Sequence, residues 1–177
     1  VEGSDSKLLP AYLSLIRLSD SAIQNLVSYF EAQEEPTMIV FFGDHQPADS
    51  VVRPVWKLNG KDDADLTDEE EALRYKVPFF IWANFDIEAE SDLEISANYL
   101  AAKTLDVAGL PKSAYDNFLS QLRTEVPVIS ANHVTLSDGT FTTASKQKDL
   151  LYDYQTLQYY LPVSYTHLRA HETCADL

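Results

Sequence analysis

A short apolar run, Met38 to Phe42, limits the possible folds of this chain more than any other segment. It contains β-branched and aromatic residues without polar alternation, a pattern that indicates a strand covered on both faces. Gly43 follows at once and allows a turn and a close approach of the backbone to another group, and Pro47 prevents the strand from continuing. A strand covered on both faces favours an α/β fold.

Asp44 and His45 stand where this strand opens into a loop, the position at which α/β sheets carry ligands and catalysts. A carboxylate and a neutral imidazole together suit Zn²⁺ or Mn²⁺, and the carboxylate alone suits Mg²⁺. The pair therefore predicts a metal site of a hydrolase or transferase. The same residues also fit a structural turn, in which Asp44 caps backbone N–H groups and His45 bonds to a carbonyl. Both interpretations are open at this point.

The segments around the pair predict helices and a second strand. Apolar residues recur at helical spacing from Tyr12 to Phe30, which indicates an amphipathic helix that ends near Glu35-Pro36 and packs on the sheet. A second buried strand is predicted at Val77 to Ala83, and the helix-then-strand order favours a parallel sheet. The acidic segment from Lys61 to Glu71 lacks the EF-hand pattern, so we expect a solvated loop and a short helix there, without a metal.

The C-terminal half shows local signals for three helices and a hairpin. In order, these are a helix from Ser96 capped by Gly109, a helix opened by Ser113 or Asp116, a hairpin turning at Ser137-Asp138-Gly139, and a last helix from about Ser145 to Tyr159. No repeat or low-complexity tract interrupts them.

Five segments, in a fixed order and spacing, resemble one enzyme family. They are Tyr12 to Asp20, Pro36 to Pro47, Lys76 to Asp86, Ile95 to Leu110 and Tyr154 to Tyr159. Through them, the chain from Lys7 to about Tyr160 resembles the C-terminal part of the lipoteichoic acid synthase-like branch of the sulfatase and alkaline phosphatase superfamily. The resemblance implies an alkaline-phosphatase-like α/β fold: the C-terminal part of the central parallel sheet with flanking helices, then a small terminal subdomain. By itself this part is expected to have an incomplete core.

The resemblance also assigns chemistry. In that family, Gly-Asp-His after a sheet strand supplies two metal ligands, which implies that Asp44 and His45 bind a divalent cation, Mn²⁺, Mg²⁺ or Zn²⁺. It implies an enzyme that transfers phosphoglycerol or hydrolyses phosphate or sulfate esters through a Thr nucleophile. That Thr and the remaining ligands are expected upstream of Val1, in a larger enzyme, so this part alone is expected to be inactive. The alternative is a non-catalytic cell-envelope protein that retains the fold.

Partners and location follow from the same resemblance and from charge. The implied partner is a phosphoglycerol-bearing lipid or another phosphate or sulfate ester, handled by an extracellular domain at the bacterial cell membrane. Any membrane anchor is expected in N-terminal helices, since no apolar run in this sequence approaches the ~20 residues that cross a bilayer. The formal net charge of −15 argues against nucleic acid, because binding phosphates requires a basic surface.

The last residues are expected to be foreign to the fold. The run Val163 to Thr173 has no counterpart in the family and resembles the translation of a transposon-based sequencing adapter. Residues 1–162 are therefore interpreted as the C-terminal part of one sulfatase-like catalytic domain, and residues 163–177 as a non-native tail. Because Cys174, the only cysteine, lies in that tail, the remaining chain has neither a disulfide nor a thiolate metal site.

Overall fold

The computed structural model describes residues 6–172, with side chains described as far as Tyr160. The chain divides into two compact units. Unit 1 runs to Ser91 and includes Thr104–Pro111, whereas unit 2 comprises Asp92–Lys103 and the part from Lys112 onward. Helices and small sheets occur in both units, which confirms the predicted α/β class. No helix within residues 6–172 combines the length and the apolar character needed to cross a membrane.

Unit 1 contains the candidate site and the first two strands. Its main elements are helix α1 (Leu8–Glu31), strand β1 (Met38–Phe42), helix α2 (Asp49–Leu58), helix α3 (Asp68–Ala72), a 3-10 turn (Leu73–Tyr75) and strand β2 (Phe79–Ala83). The predicted helices and strands are confirmed, although α1 ends before the predicted Glu35-Pro36. Helix α2 was not predicted, and it forms although it contains Pro54, a residue type that usually breaks a helix.

Strands β1 and β2 pair antiparallel, with Met38 opposite Ala83 and Phe42 opposite Phe79. The parallel arrangement expected from the sequence is therefore wrong for this pair. An apolar run indicates how a strand is covered but not its direction, and the long connection between these strands can return the chain either way. The Phe41 and Phe80 rings stack across the pair with centroids 5.2 Å apart, the type of contact that stabilises neighbouring strands.

Unit 1 is only partly covered. All positions of β1 and β2 are half-buried except Phe42, which is exposed, so the expected burial on both faces is not found. Several apolar residues of α1 are also exposed, among them Leu15, Ile16 and Leu26, although this helix was expected to pack its apolar stripe on the sheet. The only fully buried hydrophobic side chain among the described residues of unit 1 is Leu9. This agrees with the incomplete core expected for the chain.

Asn84 fixes the end of α1 to the start of β1. Its amide nitrogen Nδ2 lies 3.1 Å from the Phe30 and Gln33 carbonyl oxygens and 2.9 Å from that of Glu35. Its Oδ1 accepts a hydrogen bond of 2.7 Å from the Thr37 N–H. A helix leaves its last carbonyls without partners inside the helix, and this side chain, at the end of β2, satisfies carbonyls there and in the following turn.

Unit 2 has a small antiparallel sheet and the main core. In chain order, its elements are a 3-10 turn (Ala97–Tyr99), helix α4 (Leu100–Val107, shared with unit 1), helix α5 (Ala114–Glu125), strands β3 (Val128–Ile129), β4 (His133–Thr135) and β5 (Phe141–Thr143), a 3-10 turn (Ala144–Gln147) and helix α6 (Lys148–Glu172). The sheet order is β3-β4-β5. Its buried cluster is Tyr99, Ala102, Leu119, Leu122, Val126, Val134, Leu151 and Tyr154.

The local signals predicted for this half are confirmed. Ser113 caps α5 through reciprocal bonds with Asp116, and Gly109 and Gly139 take the positive φ angles of +63° and +84° that their turns require. Helix α6 continues past the predicted end at Tyr159 to Glu172. The prediction that residues 163–177 are foreign to the fold concerns side chains that lie outside the described part of the chain. Residues 173–177, including Cys174, lie outside the described residues altogether.

Tyr99 is the polar centre of the unit 2 core. Its hydroxyl donates a hydrogen bond of 2.8 Å to the Val126 carbonyl oxygen, so the buried phenol is satisfied. Burial raises the pKa of Tyr99 well above its ordinary value, because the charged form would lose its hydration.

Candidate metal site at the end of strand β1

Gly43 places the candidate site against the chain that leads into β2. Its N–H donates a hydrogen bond of 3.0 Å to the Pro78 carbonyl oxygen, one residue beyond the last strand pair. A Cβ atom at Gly43 would stand 3.0 Å from Val77 Cβ and 3.3 Å from Val77 Cγ1. The close backbone approach predicted for this glycine is thus confirmed, and any side chain there would push the two segments apart.

Asp44 and His45 lie next to each other beyond the C-terminal end of β1. Their side chains are 83% and 78% exposed, and Asp44 Oδ2 is 3.5 Å from His45 Nε2. The other carboxylate oxygen, Asp44 Oδ1, accepts a hydrogen bond of 2.9 Å from the His45 N–H. One oxygen therefore holds the loop, and the other faces the imidazole.

The orientation of the His45 ring is set by its neighbour. His45 Nδ1 is 2.9 Å from the Gln46 carbonyl oxygen, and since a carbonyl can only accept, Nδ1 carries the proton in this contact. In the neutral ring, Nε2 then keeps its lone pair. A metal-binding histidine is typically held in this way, with its other nitrogen bonded to a carbonyl or carboxylate.

Two further side chains hold this loop, and the sequence did not single out either of them. The Gln46 side-chain amide donates to the Lys76 carbonyl oxygen. Arg74 Nη2 donates to the Pro47 carbonyl oxygen at 3.4 Å and to Asp49 Oδ1 at 2.7 Å. The available signal for Arg74 was a basic residue that lies between the acidic segment and the second strand, close to another basic residue, Lys76. Such a signal does not indicate which residues Arg74 contacts.

A cleft of about 450 Å³ opens beside His45 within unit 1. Four of its charged lining residues pair with one another: Arg53 lies 2.7 Å from Asp63 and 3.4 Å from Asp49, and Arg74 shares the same Asp49. The full lining is His45, Gln46, Asp49, Arg53, Trp56, Asp63, Leu66, Glu71, Arg74 and Tyr75.

The donor pair fits part of a metal site. With metal–ligand distances of about 2.0–2.2 Å and a tetrahedral angle, two donor atoms stand about 3.4 Å apart. The measured separation of 3.5 Å between Asp44 Oδ2 and His45 Nε2 is close to this value. No group of three or more His, Cys, Asp or Glu side chains placed to bind a metal occurs among the described residues. The pair thus supplies two donors and not a full ligand set.

Residues 2–110, more than half of the chain, match the sulfatase family. The chain belongs to the sulfatase family. The matched range contains both Asp44 and His45 and the whole β1–β2 pair. No curated protein and no solved structure shows a significant match to this chain.

Membership of the sulfatase family confirms the superfamily named from the sequence motifs. It places the chain in a hydrolase-type enzyme family that acts on sulfate or phosphate esters, whose superfamily is generally metal-dependent. The narrower resemblance to lipoteichoic acid synthases stays a prediction, and so does the foreign origin of residues 163–177.

Proposed function

We propose that this chain is part of a metal-dependent enzyme that transfers phosphoglycerol, or hydrolyses a phosphate or sulfate ester, at the bacterial cell envelope. Asp44 and His45 are two of its metal ligands. The observation that carries the proposal is the 3.5 Å separation of Asp44 Oδ2 and His45 Nε2 at an exposed strand end, inside the range matched to the sulfatase family. Mn²⁺, Mg²⁺ and Zn²⁺ are the candidate cations.

The local hydrogen bonds prepare both ligands for this role. The His45 N–H holds Asp44 Oδ1, which leaves Oδ2 for the cation, and the Gln46 carbonyl holds His45 Nδ1, which leaves Nε2. When bound, the cation lowers the pKa of a hydroxyl nucleophile and neutralises charge that develops on the reacting ester. Because the backbone already fixes the two side chains, less rotamer freedom is lost when they bind a cation.

The other catalytic groups are proposed to lie outside this chain. A catalytic zinc site has three protein ligands, one more than this pair supplies, and the covalent step needs the Thr nucleophile that the family resemblance implies. This chain alone is therefore expected to show no turnover. The proposed substrate is a phosphoglycerol-bearing lipid or a related ester, and the proposed membrane anchor consists of N-terminal helices of the complete enzyme.

A second function has one observation in its favour. Asp44 Oδ1 and His45 Nδ1 both take part in bonds within the turn, as a purely structural role would require. In that case the protein would be a non-catalytic member of the cell envelope that keeps the sulfatase fold.

The two functions differ in whether the complete protein binds a cation and turns over an ester, and therefore in what the loss of a ligand can remove. Asp44→Ala and His45→Ala in an enzyme that contains the whole catalytic domain are expected to remove the metal and to lower ester turnover by more than about 100-fold. That is beyond the usual effect of residues that only support a ligand. Asp86→Ala is the matched control, because Asp86 is an exposed aspartate just after β2 as Asp44 is just after β1. Normal metal content and normal turnover in His45→Ala would refute the proposal.

A further inference from the structure

The segment just before β2 holds the loop that carries the metal-ligand pair. This loop, residues 43–48, is called the ligand loop below. Three groups of the segment bond to it: the Pro78 carbonyl accepts from the Gly43 N–H, the Lys76 carbonyl accepts from the Gln46 amide, and Arg74 donates to the Pro47 carbonyl. Two of these ties use backbone atoms of the segment. The third depends on one side chain, that of Arg74.

We propose that Arg74 is a positioning residue for the ligands Asp44 and His45, a proposal that rests on the function proposed above. Arg74 Nη2 donates hydrogen bonds to the Pro47 carbonyl oxygen and to Oδ1 of Asp49, which is the first residue of α2. The Arg74 side chain is only 24% exposed. Its bond to Asp49 is therefore less screened by solvent than an ordinary surface ion pair.

Helix α2 holds the Arg74 guanidinium in place. The guanidinium carbon lies 5.6 Å from the centre of the Trp56 ring, within the range of a cation–π contact. Trp56 is on the same helix as Asp49. One guanidinium thus joins the end of the ligand loop to two positions of α2, and this geometry is specific to a planar, delocalised cation.

The position of the Pro47 carbonyl matters because of its neighbour. The peptide between Gln46 and Pro47 contains the Gln46 carbonyl oxygen that bonds to His45 Nδ1. Because the ring of Pro47 fixes its φ angle, the Pro47 residue and the peptide before it move together. If Arg74 releases the Pro47 carbonyl, this unit can turn about the Cα–C bond of Gln46, and the His45 ring loses the acceptor that fixes its tautomer. The distance from His45 Nε2 to Asp44 Oδ2 then varies, and the two donors no longer stay at the spacing that suits a cation.

Arg53 provides the matched control. It contacts the same carboxylate group, with its Nη2 3.4 Å from Asp49 Oδ2, and it pairs with Asp63 at 2.7 Å. Its side chain is 53% exposed, and neither of these contacts reaches the ligand loop. Removing Arg53 therefore changes the local charge by the same amount as removing Arg74, but leaves the tie to the Pro47 carbonyl intact.

The test is a site-resolved titration of this chain with Mn²⁺, followed by NMR. The paramagnetic ion should broaden the amide signals of residues 44–46, and the Mn²⁺ concentration at which they broaden measures the affinity of this site. Because each residue has its own signal, Mn²⁺ bound at the acidic segment is measured separately. Arg74→Ala is expected to raise that concentration about tenfold or more. Arg74→Lys should fall between wild type and Arg74→Ala, because an ammonium has no planar fork. Arg53→Ala should stay within about twofold of wild type.

A second readout needs no metal. The ¹⁵N shifts of the His45 ring should report the Nδ1–H tautomer in the wild type and in Arg53→Ala, and a tautomer mixture in Arg74→Ala. A residue that only stabilises unit 1 would lower the unfolding midpoint but leave both readouts unchanged at a temperature where the chain is folded. If Arg74→Ala does not fold, Arg74→Lys decides by the same two measurements.

The outcomes separate this inference from the proposed function. If Mn²⁺ does not broaden residues 44–46 of the wild-type chain, the His45 tautomer decides the inference, and the metal content of His45→Ala in the complete enzyme decides the proposed function. Wild-type binding that is unchanged in the Arg74 variants, with the same His45 tautomer, would overturn the inference alone.

Discussion

Removing the Asn84 side chain should detach the end of α1 from the β1–β2 pair. An amide nitrogen has two hydrogens, so Nδ2 can form two good bonds among the carbonyls of Phe30, Gln33 and Glu35, while Oδ1 accepts from the Thr37 N–H. Three hydrogen bonds with net contributions of about 0.5–1.5 kcal/mol each amount to roughly 1.5–4.5 kcal/mol. Because Asn84 is only half-buried, hydrogen bonds to water make up part of this lost free energy in the variant. We expect Asn84→Ala to destabilise unit 1 by about 2 kcal/mol.

The isosteric change Asn84→Asp tests the same interpretation more sharply. It keeps the acceptor for the Thr37 N–H but replaces the donor by an anionic oxygen that faces three carbonyl oxygens. It should therefore destabilise unit 1 more than Asn84→Ala, by about 3 kcal/mol or more. A helix cap that depended only on shape would tolerate aspartate.

Urea unfolding followed by tryptophan fluorescence measures both variants. The two tryptophans, Trp56 and Trp82, lie in α2 and β2, so their emission reports on unit 1. Asn25→Ala, an exposed asparagine on α1, is the control and should change the unfolding free energy by no more than about 0.5 kcal/mol. A loss of unfolding free energy below about 0.5 kcal/mol in Asn84→Ala, or an Asn84→Asp variant as stable as wild type, would refute the proposed role of Asn84 in joining α1 to the strand pair.

Two other predictions concern close packing and burial. Gly43→Ala should lower the unfolding free energy of unit 1 by about 1–3 kcal/mol, because its Cβ would stand 3.0 Å from Val77 Cβ. Equal losses in the wild-type and Val77→Gly backgrounds would contradict this steric cause. The raised pKa of buried Tyr99 predicts that its contribution to stability is complete below the unfolded-state pKa of about 10 and is lost as the pH rises above it. In urea unfolding followed by circular dichroism, Tyr99→Phe should lower the free energy of unfolding of unit 2 by about 1–2 kcal/mol at pH 8, because the hydrogen bond to the Val126 carbonyl is lost. The variant should also lose less unfolding free energy than the wild type as the pH rises. A loss between pH 9 and 11 as large as in wild type would show that other groups cause it.

Local patterns in the sequence were enough to predict most helices and strands and to single out the candidate ligands. The apolar run of β1 has the predicted bounds, and the turn glycine Gly139 and the cap Ser113 act as predicted. Each of these features depends on residues a few positions apart, whose backbone preferences and capping bonds are encoded where they occur. The position of Asp44 and His45 just past a strand follows for the same reason.

The tertiary structure decided the features that join distant residues. Whether β2 runs parallel or antiparallel to β1 depends on the path of the connection, and no apolar pattern encodes it. Arg74 and Pro47 are 27 residues apart, and Asn84 and Phe30 are 54 apart, so neither contact has a local signature. The sequence by itself determined which residues could bind a metal. Only the folded chain decided which other side chains hold them in place, because a hydrogen bond needs atoms within about 3 Å and the sequence contains no distances.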